Sequence, residues 1–208
     1  MADISLFDTQ ESIPEEIPLM LLQSIIAGFE DYQKNVTDSS KAICCPTTKA
    51  NFINDHMVFH AREKLNGHPK VRFIKRHART HLMISERFEL KLKKLNRNRR
   101  PSNILTQAVF DFHNQIPLEP PYQLEFSDML NPVTNLIAGY QQNKLKTGIE
   151  AVYIVCPEGT HNKWEWKIDF VEEFTPKTTQ TFAPDIPDMP KVKTVKPKAS
   201  FQKRGARL

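Results

Sequence analysis

Two histidines and a glutamate are spaced so that one face of a helix would carry all three. His56, His60 and Glu63 follow one another at intervals of four and three residues, and residues with this spacing share a helix face. Histidines one turn apart can bind the same metal ion, so the trio predicts a metal site. Phe52 and Phe59 flank it, and the same face could instead be a packing surface or the polar rim of a cleft.

A carboxylate and a lysine two positions apart form a second candidate centre. Glu89 and Lys91 lie in an alternating stretch, so both would project from one face of a strand. This E-x-K spacing resembles that of restriction-like nucleases. The resemblance implies a carboxylate that holds Mg²⁺ and a lysine that stabilises the attacking hydroxide or the phosphorane. Those nucleases also use an acidic residue on the preceding strand, which residues 80–85 do not supply, so Asp55 or Glu63 would have to substitute. The alternative is a pair of charged residues on an exposed strand face.

A run of cationic residues that leads into a predicted helix is the best candidate for anion binding. Residues 93–103 read KKLNRNRRPSN, and their charges would meet unpaired N–H groups at the start of the helix. The run contains no glycine, so it is not a P-loop. A solvated loop is the alternative interpretation. Together with the cations of the preceding strands, the predicted anion-binding residues are Lys75, Arg76, Lys91, Lys93, Lys94, Arg97, Arg99, Arg100, Ser102 and Asn103.

Positive charge is concentrated in two segments of the chain. The formal net charge is only +5, yet residues 70–100 hold twelve Lys and Arg against two Glu, and residues 191–208 hold seven against no acidic residue. Such a local field attracts polyanions and releases their counterions on contact. The sequence therefore predicts binding to nucleic acid or to an acidic protein partner. Pairing with the acidic remainder of the same chain is the alternative.

The hydrophobic periodicity predicts three helices and six strands. The helices span residues 17–36, 48–66 and 103–115, and the strands span residues 70–76, 80–85, 87–93, 135–141, 149–155 and 163–170. The order α-α-β-β-β-α-β-β-β is typical of an α+β domain. We expect a mainly antiparallel sheet, built from two three-stranded meanders, with the three helices on one side.

The length and composition of the chain predict one domain with appended segments. A chain of 208 residues is long enough for a single core. We expect a flexible N-terminus over residues 1–13, a single α+β domain over residues 14–173, and a disordered basic tail over residues 174–208, which has five prolines and no apolar periodicity. No apolar stretch is long enough to span a membrane, and the acidic start is unlike a signal peptide. The expected location is the cytoplasm, with no membrane contact.

Residues 50–170 resemble uncharacterised small bacterial proteins of prophage, toxin–antitoxin and phage-defence neighbourhoods. The resemblance lies in the pattern KKLN…PSNILTQ and in the later segment IEAVYIVCPEGTHNKWEW. It implies a toxin or regulator that a partner protein holds in check, and it transfers no catalytic residue.

Three hypotheses for function follow from these patterns. The first is a polyanion-binding protein that requires no cofactor and acts through the basic segment and the C-terminal arm. The second is a metal-dependent nuclease that uses Glu89 and Lys91 with Mg²⁺. The third is a protein-interaction subunit whose basic face docks an acidic partner.

Overall fold

The computed structural model describes residues 4–76, 79–101, 106–116 and 133–169. Its helices are α1 (Leu6–Ser12), α2 (Glu16–Asn35), α3 (Asp38–Ile43), α4 (Pro46–Leu65) and α5 (Gln107–His113). Its strands are β1 (Val71–Arg76), β2 (Arg79–Ile84), β3 (Phe88–Lys94), β4 (Thr134–Gln142), β5 (Ile149–Glu158) and β6 (His161–Ile168). The prediction of an α+β fold is confirmed. The predicted disordered tail, residues 174–208, lies outside the described residues.

The six strands form one mixed sheet in the order β1-β2-β3-β4-β5-β6. Four of the five strand pairs are antiparallel, and β3 pairs with β4 in parallel, from Phe88 opposite Thr134 to Lys94 opposite Tyr140. The predicted sheet of two three-stranded meanders therefore differs in detail, because a parallel pair joins β1-β2-β3 to β4-β5-β6. Because β3 and β4 run in the same direction, the chain must return from the end of β3 to the level at which β3 begins before β4 starts, and α5 lies in this connection.

Helices cover both faces of the sheet. On one face α2 and α4 pack against the main core, which includes Leu136 and Ala138 of β4. Ile137 lies between those two residues and packs instead with Phe112 of α5. Since neighbouring strand residues point to opposite faces, α5 lies on the face opposite α2 and α4. The prediction of three helices on one side is corrected to five helices in the described part of the chain, with α5 on the other face.

A close contact between α2 and α4 holds the helical layer together. A Cβ atom added at Gly28 would lie 2.5 Å from the backbone nitrogen of Met57, so the two helices touch where Gly28 has no side chain. Ile25 and Phe29 of α2 and Met57 are buried around this point. The helix pair therefore places the first half of α4, which forms part of the site below, rigidly against the sheet.

Residues 4–13 pack onto this core. Ser5 and Asp8 form a reciprocal capping box at the start of α1, and such a box satisfies two N–H groups of the first turn. Ile4 and Ile13, on either side of α1, are buried. The predicted boundary of a flexible N-terminus over residues 1–13 stays a prediction.

No helix in the described ranges is both long enough and apolar enough to cross a membrane.

Candidate functional site

Strands β2 and β3 pair over a short distance and then separate. Their ladder joins residues 82–84 of β2 to residues 88–90 of β3. Residues 79–81 and 91–94 continue their strands but lie outside this ladder. The sheet therefore divides at this end, and a cleft opens between the two strands.

The cleft has a volume of about 620 Å³ and is bounded by four parts of the fold. The first half of α4 lines one side, α5 lines another, and the diverging ends of the β1–β2 hairpin and of β3 form the rest. Its cationic and titratable residues are Arg76, Arg79, His81, Lys91, Lys93, Lys94 and His113. Neutral polar groups come from Thr47, Asn51, Asn54, Thr80 and Thr106.

A buried carboxylate anchors the cationic wall of the cleft. Glu89 is only 4% exposed, and its Oε1 accepts a hydrogen bond of 2.5 Å from Nδ1 of His81. Its Oε2 lies 3.4 Å from Nε of Arg76. Burial opposes the charged form of Glu89, but the hydrogen bond from His81 and the charges of Arg76 and Lys91 outweigh it and lower its pKa. Glu89 is therefore ionised and already occupied by two protein partners.

Lys91 is a cation that the fold takes partly out of water. Its Nζ lies 3.5 Å from the centroid of the Phe112 ring, a favourable cation–π distance. Burial lowers the pKa of Lys91 to about 8, although the charge of Glu89 opposes that shift. A poorly solvated ammonium of this kind gains more from an approaching anion than a solvated lysine does.

The neighbouring lysines share this property. Burial also lowers the pKa of Lys93 and of Lys94, and Nζ of Lys94 donates a hydrogen bond of 2.5 Å to Oε1 of Gln142. Nη1 of Arg79 lies 3.8 Å from Oδ1 of Asp55, and its Nη2 donates to Oδ1 of Asn51 at 2.9 Å. The ammonium groups of these lysines are thus partly removed from water, whereas the Arg79 guanidinium already has two partners on α4.

The structure brings four of the ten predicted anion-binding residues into this cleft. They are Arg76, Lys91, Lys93 and Lys94. Among the others, Lys75 is exposed on β1 and Arg97 is exposed in the loop after β3. Arg99 pairs with Glu165, with 2.7 Å between Nη1 and Oε2, and Arg100 does not line the cleft.

The expected anion site at a helix start has a different geometry in the structure. Ser102 and Asn103 lie outside the described residues. Helix α5 begins at Gln107, and Oγ1 of Thr106 accepts a hydrogen bond of 3.3 Å from the backbone N–H of Val109. The first turn is thus capped by its own side chain.

Sequence reasoning missed Arg79, His81 and His113. The alternation in residues 79–84 places His81 on the same face as Met83, and Met83 pairs with Glu89 across the ladder. A hairpin register counted from the turn at residues 85–87 could have placed His81 diagonally beside Glu89. His113 gave a weaker signal, because its position near the cleft depends on where α5 crosses the sheet.

The predicted metal trio on α4 has a partner on α2. Oδ2 of Asp31 lies 3.1 Å from Nδ1 of His56 and 2.7 Å from Nε2 of His60. Oε2 of Glu63 lies 3.0 Å from Nδ1 of His60. The hydrogen bond from His60 lowers the pKa of Asp31 despite some burial. Within the described ranges, no group of three or more His, Cys, Asp or Glu is arranged to hold a metal ion, and this trio does not line the cleft.

Comparison with protein families, with curated proteins and with solved structures gives no match to this chain.

Proposed function

We propose that the protein binds the sugar–phosphate backbone of a single-stranded nucleic acid in the cleft between β2 and β3. The observation that carries this proposal is the convergence of Arg76, Arg79, Lys91, Lys93 and Lys94 on one concave space. Phosphate oxygens are strong acceptors for such donors, and arginine adds planar, two-pronged recognition.

The size of the cleft favours an unpaired strand. A volume of about 620 Å³ lies inside the range of roughly 300–1,000 Å³ that is usual for ligand pockets. Such a space admits a short stretch of single strand, whereas a duplex would have to lie across its mouth. Neutral polar groups of Asn51 and Asn54 on the α4 side suit hydrogen bonds to sugar or base edges.

The metal-dependent nuclease remains a prediction that this geometry favours less. Lys91 lines the cleft, and Glu89, two residues before it on β3, is buried. However, the Glu89 carboxylate is engaged by His81 and Arg76. The part of the chain that the structure describes offers no cluster of three metal-ligating side chains.

The test is binding of a fluorescent single-stranded oligoribonucleotide, measured by fluorescence anisotropy at low salt. We expect Lys93→Gln to weaken binding by about tenfold, which corresponds to losing one charge-assisted contact of roughly 1.5 kcal/mol. Lys144→Gln is the matched control, because Lys144 is exposed and lies outside the cleft. Its affinity should stay within about twofold of the parent, since a lone surface charge contributes little.

Two results would contradict the proposal. Equal losses in the Lys93→Gln and Lys144→Gln proteins would show that the overall charge binds the strand and the cleft does not. Equal affinity for polyglutamate of matched charge would instead favour the acidic protein partner.

A further inference from the structure

The pairing of His81 with Glu89 sets the tautomer of the histidine. The ionised Glu89 accepts the proton of Nδ1 at 2.5 Å, so the lone pair of the neutral ring lies on Nε2. In the described part of the chain, Nε2 makes no hydrogen bond. His81 is 4% exposed but lines the cleft. It therefore offers a fixed proton acceptor where the strand is proposed to bind.

The ammonium of Lys91, a proton donor, lies near His81, and the ring of Phe112 contacts both side chains. The Phe112 ring contacts Nζ of Lys91 at 3.5 Å from its centroid, and its centroid is 6.4 Å from that of the His81 ring, in an edge-on arrangement. His81 and Lys91 thus flank one buried side chain in the cleft. Arg76 and Lys93 add positive charge around them, which suits the extra negative charge of a five-coordinate phosphorus.

We propose, as an extension of the strand binding proposed above, that this cleft cleaves RNA by metal-independent transesterification. Nε2 of His81 takes the proton of a ribose 2′-hydroxyl, and O2′ attacks the adjacent phosphorus. The new O2′–P bond forms as the P–O5′ bond breaks, and the Lys91 ammonium gives its proton to the departing O5′. The products are a 2′,3′-cyclic phosphate and a 5′-hydroxyl. His81 and Lys91 return to their starting states by exchanging protons with water.

The charged neighbours of both groups determine the pH dependence. His81 faces Glu89 and Lys91 of β3 and Arg76 of β1, and burial with the charge of Lys91 lowers its pKa although Glu89 raises it. Lys91 faces Glu89, Lys93 and Arg76, and the pKa of His113 on α5 is lowered by burial and by the charge of Lys91. The rate should rise as His81 loses its proton below its ordinary pKa and fall as Lys91 loses its proton at about pH 8.

The experiment uses the full chain, EDTA and a labelled single-stranded oligoribonucleotide. We expect cleavage to a product with a 2′,3′-cyclic phosphate, identified by mass spectrometry, and a bell-shaped pH profile. The same oligonucleotide with only 2′-deoxyriboses should bind but remain intact, because it has no nucleophile. This comparison uses the unchanged protein and therefore does not depend on whether a variant folds.

Variants then assign the roles of the residues. His81→Asn should retain binding and lose about 10²–10⁴-fold in rate, the usual contribution of a general base. Lys91→Met should lose a similar factor, while Lys144→Met, outside the cleft, should cleave as the parent does. Glu89→Gln tests a positioning residue. It should lower the maximal rate and shift both limbs of the profile to lower pH, because Glu89 raises the pKa of His81 and of Lys91.

The outcomes separate the two proposals. RNA that binds in the cleft but stays intact would overturn the cleavage and leave strand binding in place. Loss of binding itself would overturn both. Cleavage that needs Mg²⁺ or that also cuts the deoxy strand would overturn this mechanism in favour of the metal-dependent nuclease. Unchanged cleavage by a folded His81→Asn protein would show that His81 is not the base.

Discussion

Lys91 is the residue at which folding and the proposed function conflict most clearly. Its pKa falls to about 8 because the folded chain removes its ammonium from water, and this shift costs folding free energy. A group that only served the fold would be replaced by an apolar side chain without loss. If the proposed function holds, a phosphate bound in the cleft would offset this cost by pairing with the Lys91 ammonium.

Replacing Lys91 by methionine should stabilise the folded protein. At neutral pH the charged lysine is disfavoured in the folded state, so Lys91→Met should raise the free energy of unfolding by on the order of 2 kcal/mol, after allowance for partial solvent screening. Between about pH 8 and pH 10.5 the unfolded chain keeps a proton on Lys91 that the folded chain has lost. In that window the stability of the parent should rise with pH relative to the variant. Urea unfolding of both proteins across the window measures the difference.

The control for this change is Lys144→Met, at an exposed position. It should leave the free energy of unfolding within about 0.5 kcal/mol of the parent, as most surface substitutions do. A Lys91→Met protein that is less stable than the parent at neutral pH would show that the contact with Phe112 outweighs the cost of desolvation.

At the scale of elements, the contact between α2 and α4 determines where one wall of the cleft lies. Gly28→Ala would place a Cβ atom 2.5 Å from the backbone nitrogen of Met57, and a backbone atom cannot move aside as a side chain can. We expect the variant to lose about 1–3 kcal/mol of unfolding free energy, the usual cost of overpacking. Chemical denaturation measures it.

A Gly28→Ala protein that is more stable than the parent would contradict this prediction. Alanine favours a helix over glycine by roughly 1 kcal/mol, so a gain of that size would mean that α2 and α4 are not in tight contact. Gly148→Ala is the comparison, because its added Cβ would meet only the side chain of Asn143, at 3.4 Å. That variant should change the stability little.

The sequence predicted the elements themselves well and their arrangement less well. Hydrophobic periodicity predicted a strand over residues 87–93 and a helix over residues 17–36, and the structure confirms both as β3 and α2. The parallel pairing of β3 with β4 depends on contacts between segments about 45 residues apart, and local periodicity carries no information on such pairs. The site residues also divide into those that local spacing reveals and those that depend on strand pairing. The spacing of Glu89 and Lys91 was sufficient to select them as candidates. To place His81 near Glu89, the register of the β2–β3 hairpin had to be known, and to place Arg79 in the cleft, the separation of β2 from β3 had to be known.

At the scale of the whole molecule, the chain has two cationic segments, and we expect them to contact nucleic acids of different lengths. The cleft draws its cations from residues 76–94, and a further seven Lys and Arg lie in residues 191–208. A short strand can fill the cleft alone, whereas a long strand could also contact cations elsewhere on the chain. The salt dependence of binding distinguishes these contributions, because each neutralised phosphate adds a fixed increment to its slope.

Neutralising the C-terminal cations should therefore affect long strands and spare short ones. We expect a full-length variant with all seven Lys and Arg of residues 191–208 changed to Gln to show a smaller slope of log K against log salt on a long single strand. The slope should fall by up to about 5, at roughly 0.7 per contact, between about 50 and 200 mM salt. A trinucleotide should bind the parent and this variant equally, because it is short enough for the residues of the cleft to bind it alone. If the variant lost affinity equally for both ligands, the C-terminal cations would also take part in binding the trinucleotide. If the slope on the long strand stayed unchanged, these cations would not contact nucleic acid.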